Sequence, residues 1–342
     1  MAGTLCRCAM RLILCQAKGI TVTLMSIDQP HYEQQYLSLM RRIRDEGDER
    51  LDRTGVGTRS LFGEQLRFDL RDGRVPLLTT KRVFWKAAAR EMLWFISGDS
   101  NIRPLVQQNV SIWTDWPLDA YRRATGDQID RERFEERIRE DAAFAAQWGE
   151  LGPVYGVQWR SWPRYMPVDT IEGKSEPLYR RDPAGIDQLA LLVDSLRNNP
   201  ASRRHIFTGW NVAELEGMAL PPCHMTYQFH VTGSGELSCL LFQRSCDVLL
   251  GLPFNLFGAA MLTAMLAQQT GLTPRELIWS GGDVHLYRNH MEAVDEQLSR
   301  TPIGDPRLDL IRTPATLFDY AIEDFIVRDY APQQHIRAPV AV

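Results

Sequence analysis

The sequence predicts an α+β protein. Segments of helical and of strand character are intermixed along its 342 residues without a regular strand–helix alternation, which argues against a doubly wound parallel sheet. Two strand-like runs, 224–232 and 236–248, flank Gly233-Ser234-Gly235, the composition of a hairpin turn. No G-x-G-x-x-G or G-x-x-x-x-G-K-[ST] turn occurs, so the Rossmann and P-loop folds lack their phosphate-binding signatures.

The elements follow in order. Residues 31–46 read as an amphipathic helix, with Tyr36, Leu37, Met40 and Ile43 at helical spacing and Gly47 as its C-terminal glycine. Residues 52–58 form a turn rich in glycine and hydroxyl groups, and 60–68 read as a strand. Residues 85–96 are helical and end at Ser97-Gly98-Asp99. From 131 to 141, nine of eleven residues are charged, with Phe134 and Ile138 four apart, as on a solvent-facing surface helix. Residues 185–198 read as a helix and 204–211 as a strand. Residues 254–269 read as a long buried helix closed by Gly271, preceded by a loop, and 288–299 as the last helix. There is no repeat or linker, so 30–342 reads as one domain with a charged insert at about 118–150. Residues 1–24 hold Arg7, Arg11 and Lys18 and no acid. The expectation is that 1–29 is a disordered extension, or that Met25 is the true start.

Composition removes several function classes. With 44% apolar and 24% charged residues, the chain has the side chains a core needs and is not intrinsically disordered. A net charge of −4 argues against a nucleic-acid binder, so no DNA partner is expected. The most apolar stretch, 249–266, is interrupted by Gly251, Pro253, Asn255 and Gly258, and reads as buried protein and not as a membrane span. Cys6, Cys8, Cys15, Cys223, Cys239 and Cys246 follow neither a disulfide nor a zinc spacing. The expectation is a reducing, cytoplasmic setting and no metal.

The chemistry concentrates at Pro221-Pro222-Cys223-His224. Two prolines fix the backbone before a cysteine at a strand start. Such a cysteine is more often inert core; reactivity needs a thiolate, and a thiolate needs nearby positive charge. Arg53, Arg203, Arg204 and Arg244 beside polar turns supply candidates, and guanidinium groups grip phosphate in bidentate fashion. Side by side on a strand, Arg203 and Arg204 cannot both face the core. Glu91 lies one turn from Trp94 on an otherwise apolar helix, where a carboxylate is costly unless hydrogen-bonded.

Over nearly all of residues 30–342 the chain resembles the thymidylate synthases. The match is carried by Asp52-Arg53-Thr54-Gly55, Glu91-Met92-Leu93-Trp94-Phe95, Gly152-Pro153-Val154-Tyr155-Gly156, Ser202-Arg203-Arg204 and Pro222-Cys223-His224. It continues through Gln243-Arg244-Ser245-Cys246-Asp247, Gly251-Leu252-Pro253-Phe254-Asn255, Gly282-Asp283-Val284-His285-Leu286-Tyr287 and the terminal Ala338-Pro339-Val340-Ala341-Val342. The insert resembles one found in longer bacterial members.

The resemblance implies a single three-layer-like domain with a large mixed twisted sheet flanked by helices. It implies methylation of deoxyuridylate (dUMP) at C5, with 5,10-methylenetetrahydrofolate as donor of carbon and hydride. Cys223 would add to C6 as thiolate. Arg53 and Arg244 would bind the phosphate with Ser245, within the stretch Gln243 to Asp247 that also holds Cys246. Arg203 and Arg204 would reach in from the partner of a homodimer. Asn255, whose amide is both donor and acceptor, would match uracil O4 and N3–H; capping the following helix is its alternative use. His285 and Tyr287 would bond the deoxyribose 3′-hydroxyl. Glu91 would organise water near O4, and Tyr155 and His224 would complete that network. Asp247 would hold the pterin, with Ile112, Trp113, Trp116, Leu220, Leu250, Gly251, Phe254 and Tyr287 around it. Lys81 would meet the folate's glutamate tail, and the C-terminal segment with Ala341 would close over it. Phe84 departs from the family, which often has His there, and so does the run Leu256-Phe257-Gly258-Ala259-Ala260. Two rivals remain at this stage: a dUMP hydroxymethylase using water in place of hydride, and a non-catalytic nucleotide- or RNA-binding member.

Overall fold

Six strands form one mixed sheet in the order Asp48–Arg50, Thr58–Asp69, Thr273–Tyr287, Glu236–Asp247, His224–Val231, Ile206–Thr208. Neighbours run antiparallel except Glu236–Asp247 and Thr273–Tyr287, which are parallel. A parallel pair needs a crossover, and the helix Gly251–Thr270 supplies it. The computed structural model describes residues 31–51, 55–168 and 178–340, and those from Tyr32 onward cluster as one compact unit. The expectations for residues 1–29, Arg53, Ala341 and Val342 lie outside the described residues.

The crossover helix is apolar all round and is buried accordingly, with Leu256, Phe257, Leu262 and Leu266 inaccessible to solvent. Burial of each such side chain contributes about 1.5–3 kcal/mol. It packs on Glu236–Asp247, on Thr273–Tyr287 and on the helix Trp85–Ser97. It begins at Gly251, three residues before the expected start, because Pro253 falls in the first turn, where its missing N–H costs nothing. The loop expected there is therefore the first turn of the helix.

Several other boundaries differ. The first helix runs Gln34–Glu46, and Gly47 ends it by close approach: a Cβ there would lie 2.4 Å from the Ile43 carbonyl oxygen. The helix Gln188–Asn198 starts three residues late, at the Asp187 carboxylate that accepts from Ala190 N–H. The strand expected over 204–211 is only Ile206–Thr208, at the sheet edge. The last helix is a 3-10 turn, Arg288–His290, followed by Met291–Leu298. The insert forms three helices, Asp115–Thr125, Arg131–Glu140 and Ala142–Trp148. It is more than a solvated face: Phe134 and Ile138 are fully buried, and Phe134 packs on Tyr121 and Phe144.

Candidate active site

Cys223 lies at the entrance to the strand His224–Val231 and is half-buried. Pro221 and Pro222 precede the strand, and their carbonyls accept from a side chain. The Arg244 guanidinium takes both, with Nη2 2.8 Å from the Pro221 oxygen and Nε 2.9 Å from that of Pro222. Its backbone N–H donates to the Cys223 carbonyl at 2.9 Å. The same guanidinium lies over Trp210 and places Nη2 4.0 Å from Cys223 Sγ. A fixed cation beside a sulfur favours its thiolate. Cys239 and Cys246 are fully buried; burial pushes the Cys239 thiol up to about 12 and raises that of Cys246 well above its usual value. Among the three described cysteines, only Cys223 is placed to react with a molecule from solvent.

Tyr155, on the short helix Tyr155–Arg160, accepts from Cys223 N–H at 2.8 Å and stacks on His224 at 4.4 Å. Burial holds the phenol protonated far above neutral pH. Burial also lowers the His224 pKa to about 3, so this imidazole is neutral at pH 7; its Nδ1 lies 3.1 Å from the Tyr227 hydroxyl. Glu91 projects from Trp85–Ser97 and accepts from the Trp113 indole N–H at 2.8 Å. Desolvation raises the Glu91 pKa to about 7, and the Trp113 bond opposes that rise. Trp113 touches Tyr155 and Trp116, at centroid distances of 5.7 and 5.1 Å.

A relay of amides fixes Asn255. The Trp279 indole donates to Gln243 Oε1 at 2.9 Å, and Gln243 Nε2 donates to Asn255 Oδ1 at 2.9 Å and to the Ser245 carbonyl at 3.1 Å. An indole N–H can only donate, so Gln243 must turn its oxygen to Trp279 and its nitrogen to Asn255. That turns Asn255 Oδ1 toward Gln243 and leaves Nδ2 aimed elsewhere. Asn255 does not cap the helix; Asp247 Oδ1 instead accepts from the N–H groups of Leu249 and Leu250, at 3.0 and 3.2 Å. A Cβ on Gly251 would lie 3.8 Å from Asp247 Cβ and 3.9 Å from Asn255 Oδ1, so this glycine keeps the space between them open. His285 pairs with Asp247 across the strands, lies edge-on to Tyr287 at 5.3 Å, and has Nδ1 3.2 Å from Asp283. The His285 bond, with help from Arg50 at 2.9 Å, holds the Asp283 carboxyl below its usual range.

Some expected residues lie elsewhere. Lys81 is buried, with its ammonium turned inward to the Leu249 carbonyl and its pKa lowered by desolvation to about 8. In that position it does not extend toward a glutamate tail. The Cys246 side chain is 1% exposed and points into the core, so any ligand contact there belongs to its backbone. Phe84 is 51% exposed and lies 5.1 Å from the His335 ring. Arg203 and Arg204 precede the edge strand and are both exposed, so alternation between strand faces does not apply to them. Ile112, at 36% exposure, borders solvent, while Trp116, Leu220, Leu250 and Phe254 are partly buried against the core.

Sequence reading missed Trp279, Trp210, Tyr227 and the pairing of Arg50 with Asp283. Each acts by orienting another group, and nothing in its residue type or spacing marks that use. A cleft of about 610 Å³ lies apart from all these residues, among Leu70, Val75, Ala264 and Leu310. It carries none of the chemistry described.

Residues 34–342 match the family model described as Thymidylate synthase. The thymidylate synthase of Sphingopyxis alaskensis is 64% identical over 92% of this chain and 99% of its own length. That of Novosphingobium aromaticivorans is 64% identical over 91% of this chain and 97% of its own. That of Zymomonas mobilis is 56% identical over 91% and 99%. With that match and the geometry around Cys223 together, the chain belongs to the thymidylate synthase family.

Proposed function

We propose that this chain converts deoxyuridylate to thymidylate, with Cys223 as the nucleophile. The observation that carries this is the half-buried Cys223 thiol held 4.0 Å from the Arg244 guanidinium. Methylenetetrahydrofolate supplies the one-carbon unit and the hydride and leaves as dihydrofolate.

Uracil C5 is a poor nucleophile until a group adds at C6. The Cys223 thiolate adds there, and negative charge develops at O4 and C5. The fixed Asn255 amide presents its N–H to O4, and the second lone pair of Oδ1 accepts N3–H. Glu91, with a pKa near 7, exchanges a proton with water at neutral pH. Tyr155 stays protonated and helps remove the C5 proton by holding a water. C5 would take the one-carbon unit, the bond from that carbon to the folate nitrogen would break as the C5 proton leaves, and the hydride would complete the methyl group as the Cys223–C6 bond breaks and returns the thiolate. Arg244 and Ser245 hold the phosphate, and His285 and Tyr287 the deoxyribose. The residues fit a pterin: Asp247 is a carboxylate for its amino and N3–H groups, Gly251 leaves space beside it, and Trp113, Trp116, Leu250 and Phe254 offer apolar faces.

We also propose a homodimer. Ile206, Gln228, Leu240 and Ile278 lie in register on one sheet face, and Phe242 shares it; Ile206 and Phe242 are 46% and 37% exposed. Arg203 and Arg204 stand exposed beside that face, placed to enter the partner's site. Mixing inactive Cys223→Ser with inactive Arg203→Ala/Arg204→Ala subunits should then restore activity; no recovery in verified heterodimers overturns the shared site. We read the setting as cytoplasmic, where a reducing environment keeps a thiol nucleophile free.

The deciding experiment is product identification by mass after incubation with dUMP and methylenetetrahydrofolate. Thymidylate and dihydrofolate are expected. Hydroxymethyl product with tetrahydrofolate would establish the hydroxymethylase instead, and no product the non-catalytic reading. Neither rival has a named relative among those given above.

A further inference from the structure

The charged insert reaches the site. Its helix Arg131–Glu140 turns Arg131 and Glu135 onto the turn that carries Ile112 and Trp113 and onto the start of the helix that carries Trp116. Glu135 Oε1 accepts from Thr114 Oγ1 at 2.7 Å. Arg131 Nη1 lies 3.2 Å from Asp115 Oδ1, and Arg131 Nη2 donates to the Ser111 carbonyl. Arg131 Nε and Glu135 Oε1 are 3.2 Å apart, so the two side chains form one unit across a helical turn. Thr114 is fully buried.

Residues 111–114 lie in neither helix nor strand. Backbone bonds hold them only at Thr114, whose N–H donates to the Ser111 carbonyl at 3.2 Å and whose carbonyl accepts from Leu118 N–H at 3.1 Å, so side chains supply the remaining restraint. Trp113 sits in this turn with Thr114 and Asp115 held on one side and Ser111 on the other. Its indole donates to Glu91 at 2.8 Å. An isolated exposed ion pair contributes little. Here the pair ends on a buried hydroxyl, which loses its partner outright when Glu135 is truncated.

We propose that Arg131 and Glu135 are positioning residues for the methylation reaction. They clamp the turn 111–114 and the helix start that follows it, and so set the Trp113 face offered to folate and the Trp113–Glu91 bond. The insert is thereby part of the folate site's framework and not only a surface addition. The proposal rests on the reading of Trp113 and Trp116 as the folate wall.

The test uses the full-length enzyme with Glu135→Ala, Arg131→Ala, Glu135→Gln and Thr114→Val, each compared with wild type by thermal melting. Steady-state constants are then measured for both substrates. Glu135→Ala and Arg131→Ala should raise KM for methylenetetrahydrofolate by about threefold to tenfold, with KM for dUMP changed by less than about twofold. Glu135→Gln keeps an oxygen for Thr114 and should recover most of the loss. A folded Glu135→Ala enzyme with unchanged folate KM overturns the clamp. Equal rises in both KM values, tracking a lowered melting temperature, overturn it as well, since that is the mark of a purely structural role. If Glu135→Ala does not fold, Thr114→Val removes the same bond at nearly constant volume and must show the same split. The wild-type enzyme separates the two failures. No thymidylate from it fails the activity reading and takes the clamp with it, whereas an active enzyme indifferent to Glu135 fails the clamp alone.

Discussion

Around Cys223 and Asn255 the side chains are held by directional bonds, whereas around Trp113 and Phe254 they are held mainly by packing. In the nucleotide half, Arg244 grips two carbonyls, and Trp279, Gln243 and Asn255 hand a fixed orientation along a chain of amides. In the folate half, Trp113, Trp116 and Tyr155 meet ring against ring. Hydrogen bonds prescribe an angle and a donor; packing prescribes only a volume. The nucleotide half should therefore respond sharply to isosteric changes, and the aromatic faces of the folate half should tolerate them, the bonds that hold the Trp113 turn in place excepted.

The largest effect tests the nucleophile. Cys223→Ser should lower turnover by at least about a thousandfold while dUMP still binds, as read by calorimetry. Substantial residual methylation would remove Cys223 from its role. Next comes Asn255→Asp, nearly isosteric. The carboxylate still accepts from Gln243 but no longer donates to O4, so kcat/KM for dUMP should fall about a hundredfold. Binding of deoxycytidylate, whose exocyclic amine is a donor, should improve relative to dUMP. An Asn255→Asp enzyme that handles dUMP normally would break the claim that donor identity matters here. A smaller effect on the substrate is expected for Trp279→Phe, which removes the N–H that orients Gln243 together with part of a fully buried ring. KM for dUMP should rise about threefold to tenfold, and a variant altered in melting temperature alone would show that the relay does not reach the substrate.

The same contrast explains what could be read from the amino-acid order. Cys223, Arg244, Asn255 and Glu91 announce their use through residue type and motif, and they converge in the structure. The direction of Lys81 is not legible in the same way, because a lysine in sequence says nothing about which way its ammonium turns; only the folded chain brings it to the Leu249 carbonyl. The strand Thr273–Tyr287, central to the sheet, was not legible. Pro274, Arg275, Glu276 and Gly281-Gly282 break its alternation. Gly282 answers to a neighbour far away in sequence, and Gly281 to a large ring on its own strand. A Cβ on Gly282 would lie 2.7 Å from the Arg244 carbonyl oxygen, and one on Gly281 2.3 Å from the Trp279 ring. Trp279 itself was missed for the same reason, since its partner Gln243 lies on the adjacent strand.

One bond crosses the contrast, the Trp113 indole donating to Glu91 inside the packed half. Trp113→Phe keeps most of the ring and deletes that bond. The bond opposes the effect of burial on Glu91, so its loss should move the ionisation, now about 7, to higher pH. The limb of the kcat–pH profile that belongs to Glu91 should shift upward with little change in dUMP affinity. Stability carries the same sign. Folded Glu91 keeps its proton up to about 7, against 4.5 for an unburied carboxyl, so between those values the folded state binds more protons than the unfolded one. Folding stability therefore falls as pH rises through that window, and Glu91→Gln should remove this part of the fall. In Trp113→Phe the window should extend to higher pH. A profile and a melting curve that both ignore Trp113→Phe would mean that burial alone sets Glu91, and the rings of the folate half would then carry no directional bond that matters to the chemistry.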